Sequence, residues 1–147
     1  QVAIHAVRLQ DWEPEKPYDC IVSNPPFFID SLKNPSSQRT LARHDVDLSF
    51  SDIISFAKRW LTEEGILSVI LPTEVVEQFF ETAYHSGFRL CKQTLIKTTG
   101  RKPSKRQLLS FTKSFSRPLE RAEQCLLQAD GSRGEWYSEL TKDFYIR

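Results

Sequence analysis

Methionine is absent from these 147 residues, and glycine is scarce at five. No two glycines stand one residue apart, so the chain offers no G-x-G turn of the kind that cradles phosphates or dinucleotides. Cys20, Cys91 and Cys125 are few and far apart, without the close pairs of a zinc site. We therefore expect no metal, and reduced thiols in a cytoplasmic protein. No segment approaches the roughly 20 consecutive apolar residues of a membrane span, and neither end reads as a secretion leader. No membrane partner is expected. Charge of one sign is lacking too: 20 Lys and Arg face 19 Asp and Glu, for a net +1. The length suits one domain or part of one, and an opening on Gln1 in a Met-free chain leads us to expect a piece of a longer protein.

What is present reads as alternating strands and helices. Val2–Leu9 alternates as a strand does, ending near Gln10-Asp11. Tyr18-Asp19-Cys20-Ile21-Val22 is a short apolar run of the buried parallel type, stopped by Asn24-Pro25-Pro26 because proline lacks a ladder donor. Ser49-Phe50-Ser51-Asp52 has the form of a helix-starting box. Ile53, Phe56, Ala57, Trp60 and Leu61 then follow at one-face helical spacing. Gly65 is expected to cap that helix in a left-handed conformation. A buried strand over 66–71 closes at Pro72, and a second helical stripe, Val76, Phe79, Phe80, Ala83 and Tyr84, stops at Gly87. Residues 88–96 and 108–115 read as an antiparallel strand pair, 122–128 as one more strand, and 135–141 as a short helix. The fold class is α/β, with helices expected on both faces of the sheet.

The sharpest chemical signal is Ser23-Asn24-Pro25-Pro26-Phe27-Phe28 at the carboxyl end of the Tyr18 strand. Open α/β sheets place ligands at such ends. A residue before proline is pushed to extended geometry, which aims the Asn24 side chain in a fixed direction. Its amide oxygen and the Pro25 carbonyl are two acceptors, matched to the two hydrogens of a planar amino group. Phe27 adds a flat apolar face for a heterocycle. Two fixed acceptors would favour a more tetrahedral nitrogen and stabilise the charge that grows on it as it attacks an electrophile. A bare Asn-Pro-Pro is also a common strand-ending turn. The apolar strand before it and the aromatics after it favour the site.

Asn-Pro-Pro followed by an aromatic resembles the motif of class I S-adenosylmethionine-dependent methyltransferases that act on amino or amide nitrogens. The stretch Arg39-Thr40-Leu41-Ala42-Arg43-His44-Asp45, then Glu64-Gly65, Ile70-Leu71-Pro72 and the ending Leu140-Thr141-Lys142-Asp143-Phe144-Tyr145, narrows the resemblance. It is similar to the bacterial tRNA(Val) N6-adenine methyltransferases, which modify the adenine beside the anticodon. The resemblance implies a Rossmann-like sheet of order 3-2-1-4-5-7-6. Here only its C-terminal part is present, from the third strand (Val2–Leu9) onward and ending in an antiparallel hairpin. Residues 1–147 would form a partial methyltransferase domain whose cofactor-binding strands are missing, inactive alone. It further implies catalytic roles for Asn24, Pro25, Pro26 and Phe27, and cofactor contacts at Asp11, Trp12 and Asn24. Phe28 would line the pocket, and Arg39, Arg43 and His44 would touch substrate. Without its first two strands, the Tyr18 strand would keep a bare apolar edge open to dimerisation.

Charge is unevenly spread. Residues 89–121 carry ten bases against Glu120 alone, a local +9, whereas residues 11–52 sum to −4. Arg101, Lys102, Lys105 and Arg106 in the loop between paired strands could hold tRNA phosphates. The target adenine would have to be unpaired or flipped out. The Asn-Pro-Pro core equally fits methylation of a protein glutamine, DNA adenine or ribosomal RNA, and a non-catalytic RNA-binding fragment stands as a further alternative.

Overall fold

The computed structural model describes residues 2–26 and 48–144. Phe27, Phe28, Arg39, Arg43 and His44 therefore lie outside the described residues. Five strands form one sheet: β1 (Tyr18–Ser23), β2 (Leu61–Pro72), β3 (Arg89–Lys97), β4 (Ser104–Thr112) and β5 (Glu120–Cys125). Their spatial order is β1-β2-β4-β3-β5. β1 and β2 run parallel, β4 runs against both β2 and β3, and β5 runs parallel to β3. The first four strands thus reproduce the 4-5-7-6 portion of the expected order, and the expected hairpin is β3–β4. β5 adds a fifth strand beyond it. The hairpin carries one correction: its second strand begins at Ser104 rather than at 108, because pairing with β2 and β3 extends to Arg106 and Ser104. Lys105 and Arg106 therefore lie in the strand and not in the loop.

Two helices cover this sheet on one face. α1 (Phe50–Trp60) begins with both halves of the anticipated box: Ser49 Oγ accepts from the Asp52 amide at 3.1 Å, and Asp52 Oδ2 accepts from the Ser49 amide at 2.8 Å. α2 (Val76–His85) ends at Gly87, whose φ of 90° favours a residue without a Cβ. Ile53, Ile54 and Ala57 of α1 and Val76, Phe79 and Ala83 of α2 pack with Leu67, Val69, Leu71, Leu109 and Phe111 of the sheet in one buried cluster. Phe79 meets Phe111 at 5.4 Å and Phe50 at 5.1 Å between ring centroids. Both long helices share that cluster, so the expected two-sided cover is a correction: the core is one-sided. A third helix, α3 (Glu135–Thr141), follows β5.

Three further expectations change. Val2–Leu9 forms no strand: residues 2–8 are exposed, and a short 3-10 turn covers Leu9–Asp11. A strand needs a ladder partner as well as alternation, and no described strand lies beside this segment. Gly65 does not cap α1. The helix ends at Trp60, and Leu61 turns to φ −88°, ψ 136° and enters β2 directly. Opposite β1, a step from Tyr18 to Cys20 is matched by a step from Leu61 to Ile66, so Gly65 sits in a bulge. A Cβ there would lie 2.7 Å from Leu61 Cγ. β1 is also less buried than its composition predicts, because β2 pairs with one edge only; Val22 is 77% exposed.

Candidate active site

Strand directions fix what can meet. β1, β2, β3 and β5 share one direction, so their carboxyl ends, Ser23, Pro72, Lys97 and Cys125, lie at the same end of the sheet. β4 runs the other way and begins there at Ser104. Asn24 therefore emerges from β1 at the end that carries the turn between β3 and β4. Ser23 stands beside Val69 in the register, Val69 beside Leu109, and Pro72 beside Arg106.

Asn24 is exposed, Pro25 is fully buried, and Pro26 is exposed. Burial of Pro25 anchors the strand end, while the preceding amide side chain stays available to solvent. A cavity of about 390 Å³ opens beside Asn24, lined by strand residues that include Val22, Ser68, Ile70, Lys92, Thr94 and Ser110. Along β2 and β4, Leu67, Val69, Leu71, Leu109 and Phe111 are buried, whereas Ser68, Ile70, Leu108 and Ser110 are partly exposed. The cavity thus occupies the face opposite α1 and α2. It is wide enough for a base-sized ligand and mostly apolar in character. Its floor carries the Ser68–Ser110 hydroxyl pair, 3.0 Å apart. Sequence patterning missed this floor; its signal was one serine set inside each of two apolar runs, Ser68 in 66–71 and Ser110 in 108–111.

Asp11 and Trp12 precede β1. Gln10 Nε2 donates to Asp52 Oδ2 at 3.2 Å, which ties this turn to the start of α1, and α1 starts at the carboxyl end of β1. Glu13 pairs with Arg59 at 3.0 Å in the last turn of α1, so Asp11 and Trp12 lie alongside α1 between its two ends, with Asp11 next to the residue fixed at the start. The Asp11 carboxylate accepts from Arg8 Nε at 2.7 Å and from Nη2 at 3.1 Å, and that hydrogen bond holds its pKa below the usual carboxylate range. The pair is solvent-exposed, so another donor could replace Arg8 at small cost. Trp12 packs on His5 at 4.2 Å and donates from Nε1 to the Tyr18 hydroxyl at 3.1 Å. An ionised, exposed carboxylate beside an indole fits the nucleoside end of S-adenosylmethionine. The chain has no glycine turn for the methionine end.

The ten bases of residues 89–121 divide between two ends of the sheet. Arg101, Lys102, Lys105 and Arg106 are exposed on the β3–β4 turn and the first residues of β4, at the Asn24 end. Lys113 and Arg117 lie beyond the far end of β4. There Lys113 Nζ donates to the Leu61 carbonyl at 2.7 Å, and Arg117 Nη2 donates to the Glu64 carbonyl at 3.1 Å. These two bases clamp the entry to β2. The lopsided sequence charge is therefore one basic hairpin plus a set with structural duties. Among the described residues, no group of His, Cys, Asp and Glu could hold a metal ion.

No family model matches the chain. Curated sequences are similar to it along nearly its whole length. The tRNA1(Val) (adenine(37)-N6)-methyltransferase of Phocaeicola vulgatus is 41% identical over 95% of this chain and 61% of its own length. That of Bacteroides fragilis is 37% identical over 88% of this chain and 54% of its own. The chain thus spans a little over half the length of these curated relatives. Among solved structures, an Agrobacterium tumefaciens protein described as a predicted O-methyltransferase matches with a TM-score of 0.63 at 17% identity, over 88% of this chain and 53% of that one. That likeness speaks to the fold.

Proposed function

We propose, from the premise that the chain belongs over its matched length to the tRNA1(Val) (adenine(37)-N6)-methyltransferase family, that it forms the base-presenting part of an enzyme methylating the N6 amine of an adenine beside a tRNA anticodon. S-adenosylmethionine, when bound, supplies the electrophilic methyl group. Asn24 Oδ1, exposed to solvent, accepts one hydrogen of the adenine amine, and the Pro25 carbonyl, buried with its residue in the free chain, accepts the other once the strand end adjusts to the base; together they orient the amine's lone pair. Phe27 stacks on the base, Pro26 fixes the direction of that ring, and Phe28 lines the pocket. Asp11 accepts from the cofactor's adenine with Trp12 alongside. Arg39, Arg43 and His44 contact the RNA beyond the pocket. No charged base is needed for the attack, since the nitrogen can release its surplus proton to water after transfer.

The observation that carries this reading is the placement of Asn24-Pro25 at the carboxyl end of β1, beside a base-sized cavity and at the sheet end that bears the basic hairpin. A cationic hairpin there favours a polyanionic substrate over a protein glutamine. The enzyme would work in the cytoplasm, and residues 1–147 would be one partial domain. The edge of β1 that β2 leaves unpaired, with Val22 exposed beside it, gives the chain by itself a surface for pairing with a second copy. Methyl transfer to an anticodon stem-loop, measured on the complete protein containing this sequence, tests the assignment. Asn24→Ala should lower the rate by about 10²–10³, the scale of one preorganised polar group. Turnover near that of the parent would remove Asn24 from the chemistry.

A further inference from the structure

The β3–β4 turn is held from both sides by contacts that lie outside the sheet ladder. On the β3 side, the chain leaving β5 continues the pairing: the Leu126 amide donates to the Lys97 carbonyl and the Leu127 amide to the Thr98 carbonyl, both at 2.9 Å. Residues 126–134 then fold back on themselves, with the Gly134 amide donating to the Leu126 carbonyl at 2.8 Å and Leu127 bridging Arg133. Lys97 Nζ pairs with Glu123 Oε1 at 2.6 Å, with the lysine side chain only 19% exposed. On the β4 side, Thr73 Oγ1, one residue past the end of β2, donates to the Ser104 carbonyl at 3.0 Å. Between these braces the turn presents Arg101 and Lys102 to solvent.

Gly134 is the tightest point of the brace. It is buried, and its φ of −60° is open to any residue, so glycine is not required for backbone conformation. It is required for space: a Cβ there would collide with the Cys125 carbonyl oxygen and press within 3.3 Å of the Leu126 carbonyl. Neither is a flexible side-chain end, so the 126–134 loop would have to shift. That loop supplies the partners of Lys97 and Thr98.

We infer that residues 126–134, locked by Gly134, are a splint that sets the basic hairpin at the angle needed to meet RNA phosphates, which makes Gly134 and Thr73 positioning residues for RNA recognition. This rests on the reading that the hairpin touches RNA. A flexible hairpin would carry the same charge but would lose more freedom on binding, and so would neutralise fewer phosphates at once.

The test is binding of an anticodon stem-loop RNA to this chain across a salt series, with amide exchange of residues 98–102 followed in parallel. Arg101→Gln with Lys102→Gln should reduce the slope of log K against log salt by about 1.4, at roughly 0.7 per single-strand phosphate contact. Gly134→Ala should reduce the slope similarly and speed exchange in the hairpin, and adding it to the double variant should reduce the slope no further. If Gly134→Ala does not fold, Thr73→Val, which deletes one brace without adding bulk, serves in its place. A Gly134→Ala protein with unchanged slope and exchange overturns the inference, as does strict additivity with the hairpin variant, since that would mean a general loss of stability. If neutralising Arg101 and Lys102 leaves the slope unchanged, the RNA-contact reading itself fails and the inference falls with it.

Discussion

Asp52 Oδ2 accepts from Gln10 Nε2 at 3.2 Å across 42 residues of sequence, while the same oxygen serves the Ser49 amide and hydroxyl at 2.8 and 2.7 Å. One carboxylate thereby starts α1 and fastens the segment that carries Asp11 to the end of the sheet where Asn24 emerges. Local helix capping and attachment of the segment before β1 share one carboxylate.

That shared role gives a pH-dependent stability. Hydrogen bonds from the Ser49 hydroxyl, then from its amide, hold the Asp52 carboxyl below its ordinary pKa. The unfolded chain therefore binds the proton more tightly than the folded one, and the contribution is present above the unfolded value of about 3.9. It disappears as pH falls through the lowered native value. Ser49→Ala should cost about 1 kcal/mol at neutral pH. Urea denaturation at pH 7 and pH 3 measures this, with the difference between variant and parent shrinking at the lower pH.

Thiol chemistry should separate Cys20 from Cys91. Burial raises the Cys91 pKa, an effect only partly offset by the nearby Arg117 charge, and the Cys91 Sγ donates to the Ser110 carbonyl at 3.2 Å. Cys20, on β1, is exposed. An alkylating reagent at neutral pH, followed by peptide mass analysis, should label Cys20 in the folded protein and leave Cys91 unmodified until denaturant is added. Prompt labelling of Cys91 would mean that the β3–β4 pairing opens far more readily than this geometry implies.

How much of this was legible beforehand depended on whether a feature is local. The Ser49–Asp52 box and the stop at Gly87 are set within a turn or two and agree with the structure, as do most positions of the two apolar stripes. The exceptions are Leu61, which belongs to β2, Ile54, which is buried outside the expected stripe, and Tyr84, which is exposed. Val2–Leu9 alternates as a strand should, but alternation cannot supply a neighbour. Gly65 has the composition of a helix stop, yet Leu61 is 3% exposed, and its burial draws the chain into β2 four residues earlier. β5 was placed two residues late, because its register is set by β3 rather than by its own pattern. At the site, Asn24-Pro25 was legible because proline dictates geometry locally. The sequence also leads one to expect the basic loop beside the pocket, whereas its bracing by Thr73 and Gly134 is not legible, since neither residue carries a motif.

Among the described residues β1 pairs with β2 alone, and the proposed pairing of its other edge with a second copy can be measured. Val22, 77% exposed, borders the cavity, and a lysine there would place charge beside the outer side of β1, the usual way proteins discourage edge pairing. Sedimentation of the parent chain should show a dimer at micromolar concentrations, and Val22→Lys should sediment as a monomer with an unchanged circular dichroism spectrum. A monomeric parent at those concentrations would count against pairing through this edge.

The two-ended distribution of basic residues lets the proposed RNA contact be tested apart from stability. Lys113 Nζ donates to the Leu61 carbonyl at 2.7 Å where α1 passes into β2, with its side chain 21% exposed and Glu63 at 3.7 Å. A charged donor on a main-chain carbonyl contributes about 1.5–3 kcal/mol, and Leu61 has no further helical turn to share that carbonyl. Lys113→Met keeps the aliphatic stem and removes the charge, so it should lower the unfolding free energy by about that amount. Because Lys113 lies at the opposite end of the sheet from Asn24, the salt slope of RNA binding should stay at the parent value, measured well below the variant's melting temperature. Neutralising Arg101 and Lys102 should do the reverse, reducing the slope while leaving the denaturation midpoint nearly unchanged, since both side chains are exposed on a turn. A lower slope in Lys113→Met would mean that the basic residues act as one diffuse field, and the division into a recognition end and a clamping end would have to be abandoned.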